Sequence, residues 1–221
     1  MSRLQHLPVS LKKSIAENSL LKVIAGLSNF DRVSVKRVAT AAVRGGADLL
    51  DIACDHELVA FVRKNHDIPI CVSAVNPDLF PDAVKAGASM IEIGNFDSLY
   101  LQGRVFEADE VLSLTRETRK LLPEVIMSVT VPHKLPLDKQ SQLALDLVDE
   151  GADFIQTEGG VVAKPKSIGN LGLIEKAAPS LAAAYSIKQT FDQANVSIPI
   201  MCSSGLSTVT IPMALSVGAS G

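Results

Sequence analysis

Three copies of one hydrophobic segment each carry a polar side chain at the same step. The polar residue is an acid or an amide in every copy: Asp51 in "GADLLDIACD" (46–55), Glu92 in "GASMIEIGNF" (87–96) and Gln156 in "GADFIQTEGG" (151–160). Because successive side chains of a strand point to opposite faces, these three point away from large apolar neighbours such as Leu50 and Ile91. Carboxylates that face one another raise one another's proton affinity, which acid–base catalysis exploits. The pattern predicts a polar interior in which Asp51 and Glu92 position a substrate or assist its reaction.

Glu158 is the leading candidate for a catalytic acid or base. It follows Gln156 by two residues, so it faces the same side of the strand. The next two residues, Gly159 and Gly160, allow the backbone to come close to a ligand. One interpretation is a general acid or base, and the other is a carboxylate that caps a loop or pairs with a lysine.

Further polar residues lie at the ends of predicted strands. His133, in "VTVPHKLP", follows the fifth strand and can carry a proton near neutral pH, although a solvated loop histidine is the alternative. Asn95, at the end of the fourth strand, can orient a hydroxyl or carbonyl group. Lys22, at the start of the first strand, can neutralise Asp51 and Glu92 in a structural ion pair.

Two loops supply candidate groups for an anionic ligand. The seventh strand ends in "CSSGLST", where Ser203, Ser204 and Gly205 can hold a phosphate through backbone N–H groups, as this loop does in many barrels. The sixth loop, "TEGGVVAKPKSIGNLG", carries Lys164, which brings positive charge if the loop closes as a lid. The alternative is an exposed charged loop.

Elements of two kinds alternate along the chain and must position these residues. Strands are predicted at 21–27, 48–54, 69–75, 89–95, 125–131, 153–158 and 199–205. Helices are predicted between them, at 56–66, 78–86, 107–122, 138–150, about 171–194 and 208–217, with another that Asp31 caps. Repeated βα units indicate parallel strands with helical crossovers. An amphipathic N-terminal helix over 3–18 is expected to cover one end of a single domain spanning 1–221.

The interior polar residues favour a closed barrel over an open sheet. In an open doubly wound sheet both faces pack against helices, and each polar group buried there costs about 1–3 kcal/mol without a partner. In a TIM (β/α)8 barrel the same residues point into the lumen. The predicted fold is therefore an α/β TIM barrel. "GASG", from Gly218, is interpreted as the start of an eighth strand, so the natural protein is expected to be longer.

Composition excludes several classes of partner. The chain has 21 Lys and Arg against 24 Asp and Glu, no Trp and two Tyr, which does not suit nucleic-acid binding. No run of about 18 apolar residues predicts a membrane span, and the N-terminus lacks the apolar centre of a secretory signal. The three cysteines lack CxxC spacing, which indicates reduced core thiols. Asp55, His56 and Glu57 are consecutive in the chain. Consecutive residues seldom converge on one ion, so no metal site is predicted.

Several segments together resemble a known family. These are "LKVIAGLSNFD", "GADLLDIACD", "IPICVSAVNP", "QTEGG" and "GLIEKAAPSLAAAYSI", which are similar to an uncharacterised family of cyanobacteria and algal plastids that carries a domain of unknown function. The resemblance implies a TIM barrel related to the phosphate-binding superfamily, located in the cytoplasm or the plastid stroma. It implies no catalytic residues.

A second resemblance leaves the chemistry open. "GADFIQTEGG" followed by "IPIMCSSG" is similar in layout to FMN-dependent barrels such as the nitronate monooxygenases, and equally to sugar-phosphate isomerases and lyases. The expected function is an isomerase or lyase step, by proton transfer, on a small phosphorylated metabolite. The alternatives are an FMN-binding oxidoreductase and a ligand-binding barrel without catalysis. A homo-oligomer is compatible with each of these.

Overall fold

In the part of the chain that the structure describes, seven parallel strands lie side by side in the order in which they occur along the sequence. They are β1 (Lys22–Ile24), β2 (Leu49–Ala53), β3 (Ile70–Ala74), β4 (Met90–Ile93), β5 (Met127–Thr130), β6 (Phe154–Gln156) and β7 (Ile200–Met201). Each lies within the segment predicted for it. The computed structural model describes residues 3–161 and 163–221.

Helices connect successive strands and cover the outside of the sheet. They are α1 (Val9–Ala16), α2 (Arg32–Arg44), α3 (His56–Asn65), α4 (Phe80–Lys85), α5 (Asp97–Tyr100), α6 (Ala108–Leu121), α7 (Leu137–Asp149), α8 (Gly169–Ala194) and α9 (Ile211–Ser216). The Asp31 carboxylate accepts hydrogen bonds from two backbone N–H groups of the first turn of α2, as an N-cap residue does. The helix α5, which follows β4, was not predicted from the sequence.

The N-terminal segment differs from the single helix predicted over 3–18. A 3₁₀ turn over Arg3–His6 precedes α1, and α1 begins directly after Pro8. Proline lacks an N–H donor and its ring clashes with a preceding helical turn, so a helix starts after it rather than running through it.

Side chains alternate between two environments along each strand. Large apolar residues such as Leu50, Ile91 and Ile155 are fully buried in the cluster that the strands form with the surrounding helices. Their neighbours Asp51 and Glu92 are equally inaccessible to solvent but face the interior of the barrel. The strand alternation that the sequence predicted is therefore present.

A second apolar cluster fills the N-terminal end of the barrel. It joins inward-facing strand residues to the N-terminal segment: Leu49, Cys71, Met90, Ile126, Phe154 and Met201 pack with Leu7, Leu11 and Leu20. Leu11, on α1, is 2% exposed. The N-terminal segment therefore covers this end of the barrel, and access to the polar interior is from the opposite end.

The last described residues lie between β7 and the residues that precede β1. The Ser220 N–H donates to the Ile200 carbonyl at 2.8 Å, and the Cys202 N–H donates to the Gly221 carbonyl at 3.0 Å. On the other side, the Leu20 N–H donates to the Ser220 carbonyl at 3.2 Å. This segment links the two edges of the sheet in the manner of an eighth strand, and the fold is the TIM barrel that the sequence predicted.

Cys54, Cys71 and Cys202 are buried and unpaired, and burial raises the pKa of Cys202 to about 11. In the described part of the chain, no helix has both the length and the apolar character needed to cross a membrane.

Candidate functional site

A buried ion triplet lies inside the barrel. The Lys22 ammonium donates a hydrogen bond to Asp51 Oδ2 at 3.1 Å and also contacts a carboxylate oxygen of Glu92. The side chain of Lys22 is 2% exposed, and those of Asp51 and Glu92 are fully buried. Lys22 thus neutralises the two acids that the repeats place on β2 and β4, the strands on either side of β3, as predicted.

Hydroxyl and amide groups hold the two carboxylates in place. Ser73 Oγ donates to Asp51 Oδ1 at 2.6 Å, and Thr130 Oγ1 donates to Glu92 Oε1 at 2.8 Å. The Gln156 amide also contacts Glu92 Oε1. We call the set of residues that share these bonds the lumen network: Lys22, Asp51, Ser73, Glu92, Asn95, Thr130 and Gln156.

Asn95 closes the lumen network on the side of the barrel mouth. Its amide nitrogen donates to Ser73 Oγ at 2.8 Å, and its amide oxygen accepts from Gln156 Nε2 at 3.3 Å. The residue adopts a left-handed backbone conformation with φ of 61°, which asparagine tolerates better than most residues. Asn95 is therefore placed where an amide can contact a ligand entering from the mouth.

Electrostatics fixes the charge state of Lys22. Burial acts to lower its pKa, but the adjacent charges of Glu92 and Asp51 outweigh burial and raise the pKa above its ordinary value. Burial raises the pKa of Glu92, and Lys22 opposes that rise. Lys22 is consequently a bound ammonium ion and not a free amine that could attack a carbonyl group.

A second polar group, which we call the mouth cluster, consists of Asp97, His133 and Glu158. His133 Nδ1 lies 3.2 Å from Glu158 Oε1 and 3.5 Å from Asp97 Oδ1. Asp97 is 7% and Glu158 3% exposed, and the side chain of His133 is 11% exposed. The three residues follow the C-terminal ends of β4, β5 and β6, which is the end where barrel enzymes carry their active sites.

Glu158 is held by donors from two loops. Its Oε1 accepts a hydrogen bond from the Tyr100 hydroxyl at 2.9 Å and another from the His133 N–H at 3.2 Å. Its Oε2 accepts from the Asp97 N–H at 3.2 Å. Burial raises the pKa of Glu158, against the lowering effect of its hydrogen bond with His133. Burial, followed by the charge of Glu158, raises the pKa of Tyr100.

Asp97 is held by the loops that follow β6 and β7. Its Oδ2 accepts from Ser204 Oγ at 2.7 Å and from the Gly159 N–H at 3.4 Å. The other oxygen, Oδ1, is buried and has no hydrogen-bond donor among the residues that the structure describes. One carboxylate oxygen is thus fixed while the other faces the imidazole ring.

A glycine and a short helix bring Asp97 and Tyr100 to the mouth cluster. A side chain at Gly94 would place its Cβ 2.0 Å from Thr130 Oγ1, so only glycine permits this close approach of β4 to β5. The chain then turns through Asn95 into α5, which carries both Asp97 and Tyr100.

The loop after β7 packs directly on the loop after β6. A Cβ at Gly160 would lie 2.2 Å from the Gly205 Cα. Ser203 Oγ donates to the Thr157 carbonyl at 3.1 Å, so this hydroxyl is engaged within the protein. Lys164 is exposed.

The structure assembles the predicted site residues into two groups. Asp51, Glu92 and Asn95 meet in the lumen network, and His133 and Glu158 meet in the mouth cluster. Gly159, Gly160, Ser203, Ser204 and Gly205 form the loops that support the mouth cluster. Lys164 contacts neither group in the described residues.

Residues 55–57 do not converge on one point. Asp55 caps α3 by accepting from the Leu58 N–H at 2.7 Å, and Glu57 pairs with Arg32 at 2.6 Å.

Two residues of the site, Asp97 and Tyr100, were not predicted from the sequence. The available signal was an acid two residues after Asn95, at the end of a strand whose neighbours already carried candidate residues.

The fold is similar to those of several solved aldolases. A protein described as "QR15, an Aldolase" superposes with a TM-score of 0.65 at 16% sequence identity, covering 96% of this chain and 90% of that one. The deoxyribose phosphate aldolase of Aeropyrum pernix, described as tetrameric, superposes with a TM-score of 0.63 at 14% identity, covering 99% of this chain and 88% of that one. At such identities the likeness concerns the fold.

Relatives at higher identity occur in algae. The "Uncharacterized protein ycf23" of Cyanophora paradoxa is 45% identical over 208 residues, which are 94% of this chain and 83% of the relative. The protein of the same name from Porphyra purpurea is 38% identical over 205 residues, which are 93% of this chain and 76% of the relative. The family described as "Protein of unknown function (DUF561)" matches residues 7–221. The chain therefore belongs to the DUF561 family.

Proposed function

We propose that this protein is an enzyme, an isomerase or lyase, that acts on a small phosphorylated metabolite by proton transfer at the mouth cluster. The observation that carries the proposal is the contact of His133 Nδ1 with Glu158 Oε1 at 3.2 Å, in a nearly buried position at the C-terminal end of the barrel. An imidazole and a carboxylate held at this distance are a common pair for accepting and returning a proton. The fold is similar to those of proteins named as aldolases, and aldolases are lyases, which supports the reaction class.

The residues have distinct roles in this proposal. Glu158, with His133, accepts a proton from the substrate and returns it. Asp97 Oδ1 lies 3.5 Å from the same ring nitrogen, Nδ1, and fixes the orientation of the imidazole ring. Asn95, which links the lumen network to the mouth, orients a carbonyl or hydroxyl group of the substrate. The lumen network forms the rigid polar base beneath them.

Schiff-base chemistry at Lys22 is not part of the proposal. A lysine that forms an imine must be an unprotonated amine with access to the carbonyl carbon. Lys22 is 2% exposed and is paired with two carboxylates that keep it charged. An enolate formed during the reaction would therefore need another source of stabilisation.

The phosphate of the substrate is assigned to the loop after β7. Ser204 and Gly205 adopt left-handed conformations with φ of 74° and 75°, a geometry in which successive backbone N–H groups can converge on an anion. The hydroxyls of Ser203 and Ser204 are already engaged, so backbone N–H groups would make the contact. Lys164 would add positive charge if its loop closes over the mouth.

The location of the protein in the cytoplasm or the plastid stroma stays a prediction, and so does its assembly into a homo-oligomer.

Solvent-deuterium incorporation tests the function without requiring the reaction direction. The protein is incubated in D2O with a panel of phosphorylated aldehydes and ketones, beginning with deoxyribose phosphate, and deuterium at carbon is followed by NMR. We expect exchange with at least one compound, and its loss in Glu158→Gln. The control is Glu117→Gln, which changes an exposed acid on α6 and should exchange as the wild type does. Unchanged exchange in Glu158→Gln would remove Glu158 from the reaction.

Two alternatives have their own outcomes in the same preparation. Flavin absorbance in the purified protein would indicate FMN oxidoreductase chemistry, an alternative to which the aldolase similarity gives no support. Saturable binding of a phosphorylated compound without exchange or conversion would indicate a binding protein without catalysis.

A further inference from the structure

The mouth cluster brings two buried acids together with little positive charge. Across residues 3–161 and 163–221, His133 is the basic side chain within ion-pair distance of either Asp97 or Glu158. The lumen network is different, because Lys22 there contacts both Asp51 and Glu92. Buried carboxylates are normally paired with a cation or coordinate a metal. The mouth cluster therefore has fewer basic than acidic side chains, and a bound cation would compensate for the difference.

One carboxylate oxygen in the mouth cluster has no hydrogen-bond donor within residues 3–161 and 163–221. It is Asp97 Oδ1, which is buried, while Oδ2 of the same carboxylate is held by Ser204 and Gly159. A buried acceptor left without a partner costs about 1–3 kcal/mol, and more when it is charged. Because Oδ2 of the same carboxylate is fixed, Asp97 Oδ1 cannot turn away from His133 Nδ1, which lies 3.5 Å from it.

The separations between potential ligand atoms suit one metal ion. One ligand atom from each of Asp97, His133 and Glu158 lies within 4.8 Å of the other two. Two ligands at about 2.1 Å from an ion, at tetrahedral or octahedral angles, lie roughly 3.0–3.4 Å apart. The distances from Nδ1 to Glu158 Oε1, 3.2 Å, and to Asp97 Oδ1, 3.5 Å, are close to this range.

We propose that Asp97 Oδ1, His133 Nδ1 and Glu158 Oε1 together bind a divalent transition-metal ion. Tyr100, Ser204 and backbone N–H groups hold the two carboxylates in place, as outer partners do in metal sites. One imidazole and two carboxylates suit Mn²⁺ or Zn²⁺ better than an all-oxygen site would. Three protein ligands leave a coordination position for water or substrate, which is the arrangement of catalytic sites.

This inference rests on the proposed function only in what the ion does there. With an ion bound, Glu158 would be a ligand, and a water on the ion would carry the proton transfer assigned to Glu158. The ion would also supply the stabilisation of an enolate that Lys22, as a bound ammonium, does not provide. Ion binding itself does not depend on turnover.

Metal binding is tested on the full chain after treatment with EDTA. Mn²⁺ and Zn²⁺ are titrated by calorimetry, and bound metal is counted by mass spectrometry after dialysis. We expect about one ion per chain in the wild type. In Asp97→Asn and in Glu158→Gln we expect the affinity for the ion to fall by at least about 10- to 100-fold, the loss that removal of an outer partner causes. Glu117→Gln should bind as the wild type does.

A milder variant keeps the test decisive if the ligand variants fail to fold. Ser204→Ala removes only the hydroxyl that holds Asp97 Oδ2, and we expect affinity to fall about tenfold while circular dichroism stays unchanged. The absence of Mn²⁺ and Zn²⁺ binding by the wild type would overturn the inference. Equal affinity in the wild type and Asp97→Asn would also overturn it.

The two proposals fail separately. If the ion binds through Asp97 but no compound exchanges deuterium, the metal site stands and the enzymatic function fails. If exchange requires Glu158 but the EDTA-treated protein takes up neither Mn²⁺ nor Zn²⁺, the function stands and the metal site fails.

Discussion

Lys22 is the residue on which the buried acids of the barrel depend. Replacing it with methionine would keep much of its volume but leave Asp51 and Glu92 buried without their cation. Removing one partner of a buried ion pair typically costs about 3–5 kcal/mol, because the other charge stays uncompensated. We expect Lys22→Met to lose that much free energy of unfolding at pH 8 in urea titrations. Lys36→Met, at an exposed position of α2, is the matched control and should stay within about 0.5 kcal/mol of the wild type.

The loss in Lys22→Met should depend on pH. Lys22 lowers the pKa of Glu92, so its removal raises that pKa further above the ordinary value. A carboxyl whose pKa is raised on folding contributes stability below its unfolded pKa, and that contribution is lost as pH rises through the folded pKa. The deficit should therefore be smaller at pH 4.5 than at pH 8. A deficit that is the same at both values would show that lost packing, and not charge, is responsible.

At the scale of elements, the loops after β6 and β7 act as one unit. Gly160 lies so close to Gly205 that a methyl group would overlap its backbone, and Ser204 in the same contact holds Asp97. We expect Gly160→Ala to lower the free energy of unfolding by about 1–3 kcal/mol, as overpacking does. Val161→Ala removes an exposed side chain from the same loop and should change stability by less than about 0.5 kcal/mol. Equal stability of the two variants in urea would contradict the close packing of these loops.

The elements that could be predicted from the sequence are those with a repeated or periodic residue pattern. Repeated Gly-Ala openings and alternating side chains identified β2, β4 and β6, and with them the inward position of Asp51 and Glu92. The helix α5 was missed because four residues are barely one turn, too few to show a helical period. Asp97 and Tyr100 lie on that helix, so half of the environment of Glu158 was hidden from sequence reasoning. Its remaining partner, His133, comes from the loop after β5, and the conformation of a loop depends on packing and not on periodicity.

At the scale of the whole molecule, stability should be unequal around the barrel. β2 to β5 are buried along their full length and pair on both sides, whereas β1 is partly exposed and β7 has two residues. Local opening needs less free energy where fewer apolar contacts and backbone bonds are lost. The last described residues link β7 to Leu20 through two hydrogen bonds on the β7 side and one on the Leu20 side. The two ends of the sheet are therefore the region expected to open first.

Hydrogen–deuterium exchange on the 221-residue chain measures this difference. We expect amides of β3 to exchange more slowly than those of β1 and β7 by more than about tenfold, the factor that corresponds to 1.4 kcal/mol of local stability. The α3 helix, which packs on α2 and α4, is the internal reference because its buried residues belong to the main apolar cluster and should follow the slower class. Equal protection of β1, β3 and β7 would mean that the link through Ser220 closes the barrel as firmly as a full strand pair. The mouth cluster would then lie on a uniformly rigid ring, since its residues follow β4, β5 and β6 within that ring.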